Sequence, residues 1–363
     1  MDARDELRTM LRPAGGGLYV VSTGKAEQEA MQRKLYSATS DSEVRESFYA
    51  AIDRVHDARV VMMGIPSDVG AGFLRGANMG PQHIRAALMK HYGDWSLWCQ
   101  ARGIVDIGDV FVVPQLLHDD MLAPSQIAAS RHAMYDEIGA HLPVSPLSIA
   151  ERALARVFEL APNVKPFVLG GDHSCAWPVT SALHAARPGF GIVQIDAHTD
   201  LLEERLGVRI CFATWSHHAN ALIGGKGRMV QVGIRATRHD RAHWETTRGV
   251  RQIWADECLR DPKRALDVIL DHVKATGVRS IYFSNDIDGT DERFANATGT
   301  PEPNGLEPDF VVELIERLGR EIGIEAGDVM EVAPPVARTP TGAEDTLAVA
   351  ARYAKSTLEM MTL

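Results

Sequence analysis

The stretch FGIVQIDAHTD, residues 190–200, joins a short apolar run to a cluster of acidic and histidine side chains. Its first part, GIVQI, has the length and composition of a buried β-strand. The polar residues Asp196, His198 and Asp200 alternate by two, so in an extended segment their side chains point to the same side. The stretch therefore predicts a strand that ends by presenting oxygen and nitrogen donors to one face.

Other short apolar runs along the chain alternate with stretches typical of helices. The predicted strands include ARVVMMGIP, GIVDIGDVFVV, KPFVLGG, RMVQVGIRA, RQIWA and SIYFSNDID, and the predicted helices include PQHIRAALMKHY, SIAERALARVFELA, CAWPVTSALHAA and KRALDVILDHVKATG. This alternation predicts a three-layer α/β/α fold, in which helices cover both faces of a central parallel sheet.

Two further predicted strands also run into side chains that can bind metals. KPFVLGG is followed by Asp172 and His173, and SIYFSN is followed by Asp286 and Asp288. Because ligands bind beyond the carboxyl ends of the strands in open parallel sheets, we expect these side chains to converge with the DAHTD group. Taken alone, Asp172 is equally typical of a helix N-cap, and His173 of a core histidine. Three donors at alternating positions in DAHTD have little structural reason to coexist.

The charge of the predicted cluster indicates a metal centre. Buried carboxylates repel one another and resist ionisation unless a cation compensates them. The candidate metal ligands are His173, Asp196, His198, Asp200, Asp286 and Asp288. Four carboxylates and two neutral imidazoles match two divalent ions, and donors without thiolate suit manganese, nickel, iron or zinc better than magnesium alone. Two ions about 3.5–4 Å apart would bring the pKa of a shared water near neutrality.

Composition excludes several classes of protein. The chain has 363 residues, 45% of them hydrophobic, and a formal charge of −10, which disfavours a nucleic-acid-binding surface. Its four cysteines form no CxxC pair, so we expect free thiols in a reducing compartment. No run approaches the ~18 apolar residues of a membrane span, and the N-terminus lacks a signal-peptide pattern. We therefore expect a cytoplasmic protein that binds neither membrane nor nucleic acid.

The chain divides into a polar segment and a main body. Residues 1–57 are mixed in character and are expected to form an N-terminal extension or oligomerisation arm. Residues 58–363 carry the predicted strands and the candidate ligands. Within this main body, residues 289–308 form a long loop rich in Gly, Pro, Asn and Thr. A long loop of this kind is more often functional than idle in a compact domain.

Several segments in this body together resemble the ureohydrolase superfamily of arginases, agmatinases and guanidino-acid hydrolases. The segments are GIPSDVGAGFLRGANMGPQHIRAAL at 64–88, GGDHS at 170–174, DAHTD at 196–200, SNDIDGTD at 284–291, ATGTPEP at 297–303 and VMEVAPP at 329–335. They occur in the family's order and span most of the chain from residue 58 onward. The resemblance implies an arginase-like fold, and residues 58–363 would be the catalytic domain.

The resemblance also implies a cofactor, an assembly and residue roles. Two Mn²⁺ or, in some members, Ni²⁺ ions would be bound, with Asp196 and Asp286 bridging them. Members usually assemble as trimers or hexamers. Glu331 matches the glutamate that pairs with a guanidinium group, since a carboxylate can accept two parallel N–H bonds from that planar cation. Asp200 would move a proton toward the leaving nitrogen.

The chain departs from the family beside the DAHTD motif. Many members have a histidine in a Ser-His-Gly-Thr type segment, but the corresponding position here is Phe212, which cannot carry a proton. His217 or His218 is a candidate substitute, although paired histidines in a predicted helix more often lie at the surface or pack. Where arginases offer polar groups to the amino-acid end of arginine, this chain offers Leu201 and Leu202.

These departures favour a small or apolar cationic substrate. We expect guanidine, an alkylguanidine or a biguanide, with agmatine or a guanidino acid as weaker candidates. Arg238 lies where contacts to the substrate end often arise and would favour an acidic tail. The alternatives are a formimidoylglutamate-type hydrolase and a supporting subunit that forms a heteromer with an active paralogue. A third, a deacetylase-like site with one zinc ion, fits six ligands less well.

Overall fold

The computed structural model describes residues 1–18, 20, 22–139 and 141–363 and places nine strands in one sheet. The strands are β1 Leu11–Arg12, β2 Val60–Ile65, β3 Ile104–Val110, β4 Lys165–Gly170, β5 Gly191–Ile195, β6 Met229–Ile234, β7 Arg251–Trp254, β8 Ile281–Asn285 and β9 Ile324–Val329. Their order across the sheet is β1-β3-β2-β4-β9-β8-β5-β6-β7. All neighbouring strands are parallel except β1, which runs antiparallel to β3.

Helices cover both faces of this sheet. They are α1 Ala3–Met10, α2 Lys25–Tyr36, α3 Asp41–Asp53, α4 Gly80–His91, α5 Trp95–Arg102, α6 Pro124–Tyr135, α7 Pro146–Leu160, α8 Ala176–Ala186, α9 Trp215–Leu222, α10 Arg241–Arg248, α11 Ala255–Arg260, α12 Pro262–Ala275, α13 Pro308–Glu321 and α14 Gly342–Met361. Among the residues described, we find no helix with the length and apolar character that crossing a bilayer requires.

The sequence of α12 illustrates how these helices form. Asp261 caps the helix by accepting the backbone N–H of Arg264, and Pro262 occupies the first helical turn, where its missing N–H costs nothing. Apolar side chains then recur at the helical spacing, from Leu266 through Ile269 to Val273, and all are buried. The helix therefore turns one apolar stripe toward the sheet.

Two hydrophobic cores result, one on each side of the sheet. Within β2, Val61 and Met63 pack into the core formed with α1, α3, α7 and α8. Val60 and Met62 pack into the opposite core, formed with α4, α12, α13 and α14. This alternation is the period-2 geometry of a strand buried on both faces. The predicted three-layer α/β/α fold is confirmed.

Two strands were not identified from sequence. The first is β9, which lies between β4 and β8 at the centre of the sheet although it comes last along the chain. The second is β1, which pairs Leu11 with Val110 at the edge. Strand order depends on which helices pack together, so local patterns could not supply it.

The first residues of the chain pack closely on the main body. Leu7, Met10 and Leu11 are fully buried in the same core as α7. The Glu6 side chain is also buried, and it accepts hydrogen bonds from Arg152 and Arg156 of α7 at 2.7 and 2.9 Å. This stretch of the predicted N-terminal extension therefore lies against its own chain.

Candidate metal centre

Four neighbouring strands in the middle of the sheet end at the candidate site. In the order β4-β9-β8-β5 they lead directly into His173, Glu331, Asp286 and Asp196, each within three residues of its strand. Because all four strands are parallel, their carboxyl ends lie at the same edge. The convergence expected from sequence is present.

His173 lies at the centre of the cluster. Its Nδ1 atom is 3.1 Å from Oδ2 of Asp286, 3.2 Å from Oδ2 of Asp196 and 3.4 Å from Oδ2 of Asp200. All four side chains are almost completely buried. Three carboxylate oxygens thus face the same imidazole nitrogen, in a place that solvent barely reaches.

The other ring nitrogen of His173 is engaged in a relay of hydrogen bonds. Nε2 lies 3.0 Å from Oγ of Ser284, and that hydroxyl donates to Oδ2 of Asp328 over 2.9 Å. Asp328 also accepts from the Tyr282 hydroxyl and from the Asn285 backbone N–H. Since the Ser284 proton is directed to Asp328, the serine oxygen accepts the Nε2 proton of His173. In the neutral ring, Nδ1 then carries a bare lone pair, as a metal ligand must.

A second group of donors adjoins the first. Nδ1 of His198 is 3.0 Å from Oδ2 of Asp288 and 3.6 Å from Oδ1 of Asp196. The ligand atoms of His173, Asp196 and Asp200 could hold one ion, and those of Asp196, His198 and Asp288 could hold another. Asp196 is common to both groups.

Asp286 approaches only the first group in this arrangement. Its Oδ2 faces His173, while Oδ1 accepts the backbone N–H of Asp288 over 2.9 Å. Asp288 is held by two further donors, the Ala197 N–H at 3.0 Å and the Thr300 hydroxyl at 2.9 Å. The hydrogen bonds fix both carboxylates before any ion binds. The bridging role of Asp286 stays a prediction.

The pKa shifts of His173, His198 and Asp200 favour protonation, which is expected where buried carboxylates lie close together. Burial opposes protonation of His173, but the surrounding carboxylates outweigh it and raise the pKa of His173 well above its usual range. Burial likewise opposes charge on His198, and Asp288 and Asp196 raise its pKa to about 12. Burial and the charge of Asp196 raise the pKa of Asp200 to about 7.

The donor set fits divalent ions. Nδ1 of His173 is buried and makes no hydrogen bond to the residues that the structure describes, although three carboxylate oxygens lie close to it. A bare lone pair facing carboxylate oxygens is repulsive unless a proton or a metal ion lies between them. Imidazole and carboxylate donors suit a borderline divalent ion, and binding it would displace the protons that otherwise neutralise the site.

The Trp215 side chain contacts both Asp200 and His173. The Trp215 indole donates from Nε1 to Oδ2 of Asp200 over 3.1 Å, and its ring centroid lies 4.5 Å from that of His173. Asp200 has a φ of 52°, in the left-handed region that L-residues rarely adopt. Trp215 was not among the site residues predicted from sequence, where it is recognisable only as a large apolar residue that follows the DAHTD motif.

Glu331 lies in a similar conformation on the other side of His173. Its φ is 61°, its backbone N–H donates to the Gly171 carbonyl, and Oε1 accepts the His173 backbone N–H over 2.9 Å. Burial and the charges of Asp286 and Asp172 raise the pKa of Glu331 well above its usual range. Oε2 makes no hydrogen bond within the described residues, so it is available to a cation.

Asp172 takes the structural role considered for it. Its Oδ1 accepts the Ser174 backbone N–H over 2.9 Å and caps the short 3₁₀ turn that carries His173. The N-cap interpretation is confirmed, and Asp172 contributes to the site by orienting that turn.

Two apolar side chains predicted to contact the substrate, Phe212 and Leu202, lie in the segments around the DAHTD motif. Phe212 lies over Gly72, where an added Cβ would meet its ring at 2.6 Å, and Arg205 lies 4.8 Å from the ring centroid. The Leu202 N–H donates to the Ala213 carbonyl over 3.2 Å, and the Leu202 side chain is exposed. Phe212 and Leu202 therefore present apolar surface near the motif.

The side chains of His218 and Arg238 are not brought to the cluster, whereas the backbone N–H of His217 donates to the Asp200 carbonyl over 3.2 Å. Nε2 of His218 lies 3.0 Å from the carbonyls of both Glu203 and Arg209. Burial and nearby Arg248 lower the pKa of His217. Arg238 is exposed between β6 and α10 and makes no side-chain hydrogen bond within the described residues.

Arg235 instead reaches the rim. Its guanidinium donates to several backbone carbonyls, including those of Asp288 at 2.7 Å and Glu302 at 2.9 Å. Those contacts tie the loop of residues 289–308 to the ligand-bearing turn after β8. Arg235 therefore has a structural role here.

Comparison with known proteins identifies relatives over most of the chain. The Arginase family model matches residues 58–359. Guanidinobutyrase of Pseudomonas aeruginosa is 28% identical over 75% of this chain and 78% of its own length. The mitochondrial agmatinase of Gallus gallus is 30% identical over 75% of this chain and 73% of its own length. The structure of proclavaminate amidino hydrolase from Streptomyces clavuligerus superposes with a TM-score of 0.65 at 26% identity, covering 84% of this chain and 92% of that one.

Proposed function

This chain belongs to the arginase family of metal-dependent hydrolases acting on C–N amidine bonds, and we propose that it hydrolyses a small guanidino compound. The products would be urea, or a urea analogue, and an amine. Guanidine, alkylguanidines and biguanides are the favoured substrates, and agmatine and guanidino acids follow. The observation that carries this proposal is the position of Nδ1 of His173, which three buried carboxylate oxygens approach to 3.1–3.4 Å.

The proposed cofactor is a pair of Mn²⁺ or Ni²⁺ ions. They would be held by His173, Asp196, His198, Asp200, Asp286 and Asp288. When bound, they supply positive charge that lowers the pKa of water and polarises the group under attack. Asp196, whose two oxygens face different histidines, is the residue best suited to bind both ions.

Glu331 is proposed to bind the guanidinium group. A buried carboxylate with one oxygen already fixed by the His173 N–H keeps the other oxygen directed at the substrate. The pairing stabilises a planar cation, because charge-assisted hydrogen bonds are about twice as strong as neutral ones. The same carboxylate would reject neutral or anionic compounds at this position.

Asp200 is proposed to transfer a proton to the departing nitrogen. The proposal rests on position: Oδ2 of Asp200 lies in the cluster, 3.4 Å from Nδ1 of His173, where a carboxylate can act as a general acid or base. The Trp215 indole donates to Oδ2 of Asp200, which is the same oxygen that lies 3.4 Å from Nδ1 of His173, so this hydrogen bond holds Oδ2 in the cluster. Asp200 would act without a second relay residue at position 212.

The proposed preference of the enzyme for a short or apolar substrate rests on two apolar side chains near the DAHTD motif. Phe212 and Leu202 are proposed to contact the substrate and offer it no hydrogen-bond partner from their side chains. Arg238 is proposed to approach the far end of longer substrates. A substrate with a long polar tail would lose the hydration of that tail without gaining a hydrogen bond from Phe212 or Leu202. Its kcat/KM would therefore be lower than that of a short substrate.

Product analysis on metal-loaded protein tests this function. The protein is stripped with a chelator, reloaded with Mn²⁺ or Ni²⁺, and assayed for urea release from guanidine, methylguanidine, a biguanide, agmatine and guanidinobutyrate. We expect metal-dependent urea release, fastest from one of the first three. Formamide release from formimidoylglutamate would replace this function with that of the formimidoylglutamate hydrolases. Inactivity that is restored only by co-expressed paralogues would identify a supporting subunit.

We also propose that the protein is cytoplasmic and forms a homo-oligomer, either a trimer or a hexamer, with a heteromer containing a paralogue as the alternative. The four free cysteines, three of them buried, support a reducing compartment. Light scattering of the purified chain measures its assembly, and a monomer that releases urea at full rate would contradict the oligomer.

A further inference from the structure

Three buried glutamines lie side by side on neighbouring strands. Gln194 of β5 is in register with Gln231 of β6, and Gln231 is in register with Gln252 of β7. None of the three side chains is exposed to solvent. A buried amide is costly unless its hydrogen bonds are made, so three of them in a row require partners.

The three amides form one continuous row of hydrogen bonds. Trp254 Nε1 donates to Gln252 Oε1 over 3.0 Å, Gln252 Nε2 donates to Gln231 Oε1 over 2.9 Å, and Gln231 Nε2 donates to Gln194 Oε1 over 2.8 Å. Finally, Gln194 Nε2 donates to Asp196 Oδ2 over 2.7 Å. We call these four side chains, from Trp254 to Gln194, the glutamine row. It ends at the aspartate common to both groups of candidate ligands.

The direction of the row is fixed at both of its ends. An ionised carboxylate can only accept hydrogen bonds, so Gln194 must turn its NH₂ group toward Asp196. An indole N–H can only donate, so Gln252 must turn its oxygen toward Trp254. Each intervening amide then has one orientation that satisfies both neighbours. In each hydrogen bond of the row, the donor therefore lies on the side farther from Asp196 and the acceptor on the side nearer to it.

Two additional contacts brace the row near the site. The Ser216 hydroxyl donates to Gln194 Oε1 over 2.8 Å, and Gln231 Nε2 also donates to the Thr199 carbonyl over 2.6 Å. Thr199 lies within the DAHTD motif itself. The row therefore holds both a side chain and a backbone group of the ligand-bearing turn.

We propose that Gln194 is a positioning residue for the metal centre, and that the glutamine row fixes the amide that orients Asp196. This inference rests on the proposed function. Oδ2 of Asp196 receives the Gln194 N–H, while Oδ1 receives the His198 backbone N–H over 2.6 Å. With both oxygens fixed, the carboxylate presents its remaining lone pairs to the two groups of ligands, and metal binding requires no reorientation.

The test measures Mn²⁺ binding in the absence of substrate. Gln194→Met keeps the length of the side chain and removes the donor to Asp196. Gln252→Met interrupts the row at a distance and leaves Gln194 in place. Gln28→Met is the matched control, because Gln28 is a buried glutamine outside the row that donates to the Gly15 carbonyl. Each chelator-treated protein is titrated with Mn²⁺ by calorimetry, and its thermal unfolding is recorded without metal.

We expect Gln194→Met to weaken Mn²⁺ binding by about 10- to 100-fold, the usual effect of removing a partner behind a metal ligand. Gln252→Met is expected to weaken it by about threefold, because each bond in a row polarises the next. Gln28→Met should lower the unfolding temperature and leave Mn²⁺ affinity unchanged. A merely structural role would give all three variants the same pattern.

Two results would overturn the inference. The first is wild-type Mn²⁺ affinity in Gln194→Met. The second is a loss of affinity in Gln28→Met as large as that in Gln194→Met. Failure of the proposed function looks different, because the wild-type protein would then bind no Mn²⁺ or release no urea whatever the behaviour of the variants.

Discussion

The indole nitrogen of Trp215 donates a 3.1 Å hydrogen bond to Oδ2 of Asp200. Loss of this bond should affect turnover more than stability. In Trp215→Phe we expect kcat to fall by about tenfold with little change in KM, because a hydrogen bond to a charged group is worth about 1.5–3 kcal/mol. Steady-state urea release measures both constants. Trp244→Phe is the control, since the Trp244 indole donates to Thr237 Oγ1 in another part of the chain. Equal loss of kcat in both variants would contradict a specific role for Trp215.

Asp196→Ala is expected to lose both metal ions and all urea release. The reason is that Asp196 is common to both groups of candidate ligands and faces both histidines. Asp286→Ala should also abolish urea release, because its oxygen is one of the three around His173. Elemental analysis after gel filtration gives the metal content. Asp267→Ala, which removes only a surface ion pair with Arg317, should keep both ions. Wild-type turnover in either site variant would rule out the proposed metal centre.

Glu331→Gln should separate substrate binding from metal binding. The amide can still accept the His173 N–H through its oxygen but loses the charge that would pair with a guanidinium. We expect kcat/KM to fall by about 100-fold or more, since pairing with a charged partner contributes up to about 3 kcal/mol. Two ions per chain should remain by elemental analysis. Unchanged kcat/KM would show that the substrate binds elsewhere.

Phe212→Ala should change substrate preference. Removing the ring that packs over Gly72 enlarges the space beside the cluster. We expect the kcat/KM of agmatine relative to guanidine to rise by about tenfold, a change of ordinary size for altered pocket volume. Leu97→Ala, at an exposed leucine on α5, serves as a control. An unchanged ratio would mean that Phe212 does not contact the substrate.

Glu6→Gln should alter how stability depends on pH. Burial opposes ionisation of Glu6, but hydrogen bonds from Arg152, His141 and Arg156 outweigh it and lower the pKa to about 2, against 4.5 for a free glutamate. The ionised carboxylate therefore stabilises the folded state above about pH 5, and this contribution disappears as the pH falls toward 2.

Urea denaturation at pH 7 and at pH 3 measures that difference. At pH 7 we expect Glu6→Gln to lower the free energy of unfolding by on the order of 1–2 kcal/mol after allowance for solvent screening. At pH 3 the difference in the free energy of unfolding between Glu6→Gln and wild type should be smaller than at pH 7. The exposed Glu27 is the control, and Glu27→Gln should match wild type at both values. A gap that widens on acidification would contradict the assignment.

Local sequence patterns could predict the site where each pattern was self-contained. Asp196, His198 and Asp200 follow one apolar strand, and the structure brings all three into the candidate metal centre. The extended geometry expected for them was wrong, because the chain bends at Ala197 and His198 and Asp200 has a left-handed φ of 52°. The glutamine row could not be predicted in this way. Gln194 and Gln252 each look like an isolated polar residue in a strand, and only the order β5-β6-β7 and its register place them in one row.

The same limit applies to residues selected by their neighbours in sequence. Arg238 lies in the segment that follows β6, and His218 lies in the helix that follows the DAHTD motif. The structure places Arg238 at the surface and His218 against backbone carbonyls. Arg235, only three residues from Arg238, makes the contacts to the ligand-bearing turn. The backbone conformation of a loop decides which of its side chains faces the site, and that conformation depends on long-range packing.

Asp200 and Glu331 both have positive φ angles without being glycine. Each such residue costs on the order of 1 kcal/mol of folding free energy, which the rest of the domain must supply. Glycine would adopt this conformation freely, but it would leave the Trp215 indole and the His173 N–H without their acceptors. The two carboxylates proposed to act on a substrate are therefore kept at a backbone cost that a glycine would not carry, and at these positions backbone comfort and turnover are opposed.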